Sequence, residues 1–380
     1  MGSEFTVVGP QVRLPGSDQL MFGVGVVLLA VGLVALAVVM LVRARRRRRG
    51  APRRPPVAIG VVSVLALIGG ALAVANRPLP FFVPEFPALP RLLPQQAFFY
   101  RTVTDLPVSA DSARAVASLT GPDGTPFALV PGMSGVVVDG VAWGMPFNPV
   151  DDATPRVAVK MRRSPSPSFT GSYPMADPAY IQSLPSYGID NHYIAVDATA
   201  RRMWELIAAS RWFGRWEADA GALWNLDELT YPRSSTTASG LPLLPGTITY
   251  PEVAAGRVQH AVLMAAGVTS PGAAVWPARG TDGRSTDPDA PRMGSWFRLR
   301  ADVPIDDLPI QARVIAQGLK DYGMVLGDTG GTMAITGTVD RRWDDDQLRA
   351  LNRITAHDFD VVDGSGVMVS PDSMEARPAG

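Results

Sequence analysis

Two long apolar runs dominate the hydropathy pattern of this chain. Residues 20–42 contain no charged side chain over 23 positions, and residues 57–75 contain none over 19. At a rise of about 1.5 Å per residue, a helix of this length crosses the roughly 30 Å apolar core of a bilayer. The pattern therefore predicts two transmembrane α-helices near the N-terminus.

The segment between these runs, residues 43–56, carries eight Arg. Short Arg-rich loops stay on the cytoplasmic side, so the tail 1–19 and the chain after the second run are predicted outside the cytoplasm. A cleaved signal peptide is the alternative, but the block of Arg that follows the first run disfavours it. The predicted localisation is a two-span cell-membrane protein with a lipid bilayer as partner and a large extracytoplasmic C-terminal domain.

Beyond the second run the pattern changes to short segments. Proline recurs every few residues over 76–94, which is typical of an extended stalk. From 95 to 368, brief apolar stretches alternate with Asp-Gly, Gly and Pro turn signals, as in VVVDGVAWG and HYIAV. Many short strands are therefore expected, followed by a disordered tail over 369–380.

Helical spacing appears late in the chain. Apolar residues recur at helical intervals over 307–322, and Gly323 supplies a C-terminal stop. A second short helix is predicted after Trp343, with Asp344 as its cap. The predicted fold is two N-terminal transmembrane helices and a mainly β domain, a sandwich or jelly roll, with one or two short helices.

Composition excludes several kinds of chemistry. The chain has no Cys, so disulfides, thiolate zinc sites and Cys nucleophiles are absent. Lys and Arg total 35, as do Asp and Glu, but much of the Arg lies in the N-terminal block, which leaves the rest mildly acidic. A mildly acidic domain is not expected to bind nucleic acid. No motif predicts a metal site or a cofactor.

Several ordered blocks carry a family resemblance. They read YGIDNHYIAVDATARRMWELIAA, EADAGALWNL, ASGLPLLPGTITYPEVAAGRVQHAVLM, STDPDAPRMGSWFRLRADVPI and ARVIAQGLKDYGMVLGDTGG. These blocks, within residues 141–363, resemble a mostly uncharacterised family of secreted actinobacterial and soil-bacterial proteins. The resemblance implies export and an association with polysaccharides. This chain departs from the family in its membrane hairpin and in Asp-Thr-Gly-Gly at 328–331, where relatives often have Asn-Gly.

Carboxylates and one histidine are the candidate catalytic groups. Asp190 and His192 open the HYIAV strand, and a carboxylate beside an imidazole can orient it as a general base. The resemblance implies Asp-x-His in relatives, although a strand-end His that bonds a loop explains the pattern equally well. A glycosidase needs two carboxyl groups facing one bond. The acidic residues considered for this pair are Glu205, Glu217, Asp219 and Asp328, and the predicted catalytic set is Asp190, His192, Asp219 and Asp328.

Ligand binding is predicted for a second set of residues. Tryptophan rings stack on sugars but equally fill β-sheet cores. His260 lies in an apolar run, where a histidine is commonly a core residue, and Glu252 precedes it by eight positions. The predicted binding residues are Trp204, Trp216, Glu217, Glu252 and His260.

The sequence leaves two functions open. The first is a membrane-anchored extracytoplasmic domain that binds or processes polysaccharide of the cell envelope or the environment, with a glycan or cell-wall polymer as partner. The second is a structural or assembly component of an envelope membrane complex, with a membrane-protein partner and no catalysis. Whether the protein is an enzyme is undecided at this level.

Overall fold

Short runs of β-branched and aromatic residues, separated by Gly, Pro and Asp, form most of the fold. The structure is a computed structural model. It describes residues 83–138, 141–142, 144–162, 169–182, 190–212 and 214–379.

A six-stranded mixed sheet is the largest element. Two of its pairings are parallel and three are antiparallel. In spatial order its strands are β1 (Leu129–Gly132), β16 (Met333–Thr336), β13 (Val262–Ala266), β15 (Met324–Thr329), β14 (Trp296–Leu299) and β17 (Phe359–Val362).

A four-stranded sheet packs against one face of the first sheet. In spatial order its strands are β12 (Ala220–Asn225), β9 (Arg202–Ile207), β8 (Tyr193–Asp197) and β4 (Asn148–Pro149). Smaller sheets are formed by β10 (Ser210–Trp212), β11 (Arg215–Ala218) and β6 (Val159–Met161), by β2 (Val137–Val138) and β3 (Val141–Ala142), and by β5 (Arg156–Val157) and β7 (Tyr173–Pro174).

The helices of the described residues are short. The α-helices are α1 (Ser112–Ser118), α2 (Tyr250–Ala254), α3 (Ile310–Asp321) and α4 (Asp345–Arg349). Single 3₁₀ turns occur at Phe98–Tyr100, Leu244–Gly246, Ala350–Arg353 and Ala356–Asp358.

Period-two alternation explains how the central sheet has two buried faces. In β13, Val262 and Met264 belong to one core and Leu263 to the other. The first core also contains Ile315 and Leu319 of α3, so helices cover that face. The second core lies between the two large sheets. Successive strand residues point to opposite sides, and β13 is therefore apolar throughout.

The β-rich domain is consistent with the predicted sandwich in its two packed sheets, but it differs in the connections of the central sheet. Two sheets do pack face to face, and the domain is mainly β. However, the central sheet contains the parallel pairs β1–β16 and β13–β15, and helices cover its other face. Parallel strands need crossover connections, which an antiparallel sandwich lacks. The described part of the domain also has four α-helices, where one or two were predicted.

The membrane prediction is corrected as well. In the part of the chain that the structure describes, no helix is long and apolar enough to cross a membrane, and the longest, α3, has 12 residues. The described residues therefore lend no support to the fold class with two transmembrane helices or to the multi-pass membrane localisation. The runs 20–42 and 57–75, the loop 43–56 and the tail 1–19 lie outside the described residues.

Both flanks of the β domain are packed onto it. Phe86 and Leu93, within the segment predicted as a stalk, are buried in the core between the two large sheets. Met374, within the predicted disordered tail, is also buried there, and its N–H donates to the carbonyl of Leu229 at 2.7 Å. Burial removes these apolar side chains from water and stabilises the packed arrangement, whereas an extended stalk or tail would leave them exposed.

Helix α3 ends where the sequence predicts. Tyr322 caps it, and Gly323 follows with φ of +70°, in the left-handed region. A Cβ on Gly323 would lie 2.4 Å from the carbonyl oxygen of Phe297. Glycine is therefore required for two reasons, the backbone conformation and the close approach of β14.

Gly323→Ala is expected to lower the free energy of unfolding by about 2 kcal/mol, because the left-handed conformation alone costs a side chain roughly 1–2 kcal/mol and the clash adds to it. Urea unfolding measures the change. Gly366→Ala is the matched control: a Cβ there meets nothing within 4 Å, so we expect a change within about 0.5 kcal/mol. Equal effects of the two substitutions would contradict this account.

Candidate functional site

A cleft with a volume of about 60 Å³ lies between the two large sheets, where β15 ends and β8 begins. Polar residues line it from β15 and β16 of the six-stranded sheet and from loops, including the one directly before β8. They are Gln182, Asp190, His192, Thr237, Asp328 and Thr336.

A β-bulge directs Asp328 into this cleft. Along the β13–β15 pair, Met264 lies opposite Leu326 and Ala265 lies opposite Asp328, which leaves Gly327 as an extra residue. With strict alternation, Asp328 would face the helices, as Leu326 does. The extra residue changes the alternation, so Asp328 lines the cleft between the sheets instead.

Like charges and burial raise the proton affinity of Asp328. Burial is the main cause, and the negative charges of Asp282 and Asp190 add to it. The N–H of Thr329, which donates to Oδ1 at 2.8 Å, acts in the opposite direction. The result is a pKa of about 7. Asp328 can therefore hold a proton, and release it, close to neutral pH.

The opposite wall is fixed by backbone hydrogen bonds. The N–H of Ala208 donates to the carbonyl of Asp190 at 2.6 Å, and the N–H of Gln182 donates to the carbonyl of His192 at 2.9 Å. Asn191, between the two candidate residues, has φ of +35°. Residues other than glycine rarely adopt positive φ, and such strain clusters at functional sites.

His192 is a neutral imidazole at this wall. Its side chain is buried, and burial lowers its pKa to about 4, although the charge of Asp190 and a hydrogen bond to the Leu206 backbone act in the opposite direction. Within the described residues, His192 Nδ1 and Asn191 Oδ1 are buried without a hydrogen-bond partner. Buried polar atoms are nearly always bonded, so these two mark a locally unsatisfied segment of chain next to the cleft.

The structure brings three of the four predicted catalytic residues to one cleft. Asp190, His192 and Asp328 line it, whereas Asp219 lies elsewhere, where its Oδ1 accepts a hydrogen bond from Nε of Arg162 at 2.8 Å.

The predicted sugar-binding residues are placed less favourably. Trp204 and Trp216 are 4% and 7% exposed and belong to the core between the four-stranded sheet and the small sheets. Their buried rings offer no open face for stacking. Glu217 lies on β11 and forms an ion pair with Lys160 at 3.0 Å. Glu252 and His260 bond each other in a separate pocket.

Some residues at the cleft were not predicted as site residues. Gln182 and Thr237 carry no motif that marks them. Asp282 lies in an exposed acidic loop, and its Oδ1 accepts a hydrogen bond from the hydroxyl of Thr329 at 2.6 Å. Among the described residues, no group of three or more His, Asp and Glu side chains is arranged to hold a metal ion.

Glu205 is a fully buried carboxyl group beside the cleft. It accepts hydrogen bonds from Trp224 Nε1 at 3.0 Å, from the Thr236 hydroxyl at 2.9 Å and from the Leu243 N–H at 2.8 Å. Burial raises its pKa to about 7, against these three donors, which favour the ionised form. It lies inside the core and does not line the cleft, so we assign it no catalytic role.

Glu205 makes the stability of the protein depend on pH. Because its pKa is raised on folding, its contribution is fully present below about pH 4.5 and is lost as pH rises to about 7. We compare the free energy of unfolding of the wild type with that of Glu205→Gln. The difference, wild type minus variant, is expected to fall by about 3 kcal/mol over this interval. Urea unfolding at a series of pH values measures it, and a constant difference would contradict the prediction.

No family model, no curated protein and no solved structure matches this chain. The resemblance to secreted bacterial proteins therefore remains a prediction, and the function has to be argued from the cleft.

Proposed function

We propose that this protein cleaves glycosidic bonds of a polysaccharide by general acid–base catalysis in the cleft between the two large sheets. One observation carries the proposal: Asp190 and Asp328 meet at this cleft, and Asp328 has a pKa of about 7. Glycosidases use two carboxyl groups in different protonation states, one of which donates a proton to the leaving oxygen.

The roles follow from the surroundings of each group. Asp328 donates its proton to the oxygen of the glycosidic bond as the carbon–oxygen bond breaks. Asp190, exposed at the rim of the cleft, takes a proton from the water molecule whose oxygen bonds to the sugar carbon. The neutral His192 lies beside them in the wall of the cleft.

The size of the cleft limits what enters it. A space of about 60 Å³ holds a few water molecules but not a sugar ring. The rings of the substrate would then lie at the rim, beside Asp190. The choice of a polysaccharide as substrate is supported by the family resemblance of the sequence.

A survey of polysaccharides tests this function. The full chain is incubated with neutral, acidic and amino-sugar polymers, and new reducing ends are measured. We expect release from at least one polymer by the wild type and by Asp302→Asn, an exposed control, but not by Asp328→Asn. If every polymer remains intact, or if Asp328→Asn is as active as the wild type, the proposal is wrong. Intact polymers would instead favour a binding or assembly role without catalysis.

A further inference from the structure

A second pocket, with a volume of about 370 Å³, lies outside the cleft and shares no lining residue with it. It is formed by residues 88–92, by the Leu244–Gly246 turn and by α2. Its polar and charged lining includes Arg91, Tyr100, Glu252, Arg257 and His260. Pockets that hold small molecules have volumes of about 300–1,000 Å³.

The hydrogen bonds of His260 favour its positively charged form. Its Nδ1 lies 3.0 Å from the carbonyl oxygen of Ala261, and its Nε2 lies 3.1 Å from Oε2 of Glu252. Both partners are acceptors, so a proton on each ring nitrogen satisfies both of them. Burial opposes this charge, yet Glu252 and the Ala261 carbonyl raise the pKa of His260 above its ordinary value.

The charge of Glu252 is already used inside the fold. Its Oε1 accepts hydrogen bonds from the N–H and the hydroxyl of Thr249, and its Oε2 faces His260. These contacts fix the start of α2 in a capping box. Glu252 therefore neutralises His260 and leaves no negative charge for other cations of the pocket.

Two guanidinium groups in the wall lack such a partner. Within the described residues, neither Arg91 nor Arg257 forms an ion pair, whereas Arg101 pairs with Asp105 at 2.6 Å. The guanidinium of Arg91 lies over the Tyr100 ring, 5.0 Å from its centroid. With His260 protonated, the charged lining has three positive groups, Arg91, Arg257 and His260, and one negative group, Glu252, a net charge of +2.

We propose that this pocket binds a sugar-sized ligand through an oxyanion, either a carboxylate or a phosphate. Arg91 and Arg257 pair with the oxyanion, because guanidinium groups match the geometry of both anions. The Tyr100 ring forms an apolar wall beside them. This site does not depend on the chemistry of the cleft.

Isothermal titration calorimetry on the full chain tests the proposal with three probes of similar size. They are galacturonate, galactose 1-phosphate and neutral galactose. We expect at least one of the two anions to bind about 10-fold or more tightly than galactose, and its affinity to fall with added salt. The anion that binds more tightly shows whether the pocket prefers a carboxylate or a phosphate. Equal affinity for galactose, or no binding of either anion, would overturn the proposal.

Variants then show which residues act. Arg257→Gln is expected to weaken anion binding about 10-fold or more, since a charge-assisted pair is lost. Because Arg257 is exposed, the unfolding temperature of the Arg257→Gln variant should equal that of the wild type. Arg215→Gln, an exposed arginine on β11, is the control and should bind like the wild type. Asp328→Asn should also retain full binding, which separates this site from the proposed catalysis. If Arg257→Gln binds as well as Arg215→Gln, the assignment is wrong.

Discussion

Asp328→Asn is expected to lower the turnover of polysaccharide cleavage by about 10²–10⁴-fold, the usual contribution of a general acid. An amide has nearly the same shape as the carboxyl group but cannot donate a proton to the leaving oxygen. The variant should fold, because Asn can still accept the hydrogen bond from the Thr329 N–H. Initial rates at saturating polymer measure the loss. Retention of more than a tenth of the activity would rule out Asp328 as the general acid.

The pH profile gives a second measurement on the same residue. Asp328 acts in its protonated form, so activity should be present below about pH 7 and should fall as pH rises through about 7. Asp282 raises this pKa by its negative charge. Asp282→Asn is therefore expected to lower the pKa of Asp328 and to move the alkaline limb to lower pH. An unchanged limb would show that Asp282 does not act on the acid.

Asp340→Ala is expected to lower the free energy of unfolding by about 3 kcal/mol, because a buried carboxylate that accepts several hydrogen bonds is lost. Asp340 is completely buried. Its Oδ2 accepts hydrogen bonds from Nη2 of Arg342 at 2.6 Å and from the N–H of Phe86 at 3.0 Å. Removing the carboxylate leaves a partly buried guanidinium and a buried N–H without a partner.

The loss should affect a whole segment of the chain. Nη2 of Arg342 also donates to the carbonyl of Phe86 at 2.6 Å, so the two residues hold the segment at 83–93 on the domain. Urea unfolding measures the free energy. Asp302→Ala removes an exposed pair with Arg300 and should change stability by no more than about 1 kcal/mol. A loss below 1 kcal/mol for Asp340→Ala would show that the segment is held mainly by its apolar contacts.

Local features of the fold were predictable because their causes are local. The helix predicted over 307–322 is found at Ile310–Asp321. It begins later than predicted, directly after Pro309, which has extended backbone. Its end at Gly323 needs only the left-handed conformation that glycine adopts freely. The strand HYIAV is likewise found as β8 (Tyr193–Asp197), one residue after His192.

The pairing of strands was not predictable from the same information. Strand β13 pairs with β15, although β14 and α3 lie between them in the chain. Apolar strands of similar length do not specify which partner each will choose. The choice depends on packing both faces of the sheet, and on the crossover through α3. The predicted sandwich therefore missed the parallel pairs and the helical layer.

The candidate site was also predictable only in part. Residue type identified Asp190, His192 and Asp328 as chemically capable, and equally identified Asp219, Trp204 and Trp216. The chain contains no signal that separates these two groups, because a carboxylate in an ion pair and a tryptophan in a core have the same sequence appearance as functional ones. The separation appears only in burial and in hydrogen-bond partners.

By itself, the sequence determined the absence of Cys chemistry, the short β segments, and the end of α3 at Gly323, because each depends on composition or on a few neighbouring residues. Only the tertiary structure decided that the flanks at 83–94 and 369–379 pack onto the domain, and that a bulge at Gly327 turns Asp328 towards Asp190. Both arrangements depend on contacts between residues that are distant in the chain. The burial of apolar surface in these contacts supplies their free energy.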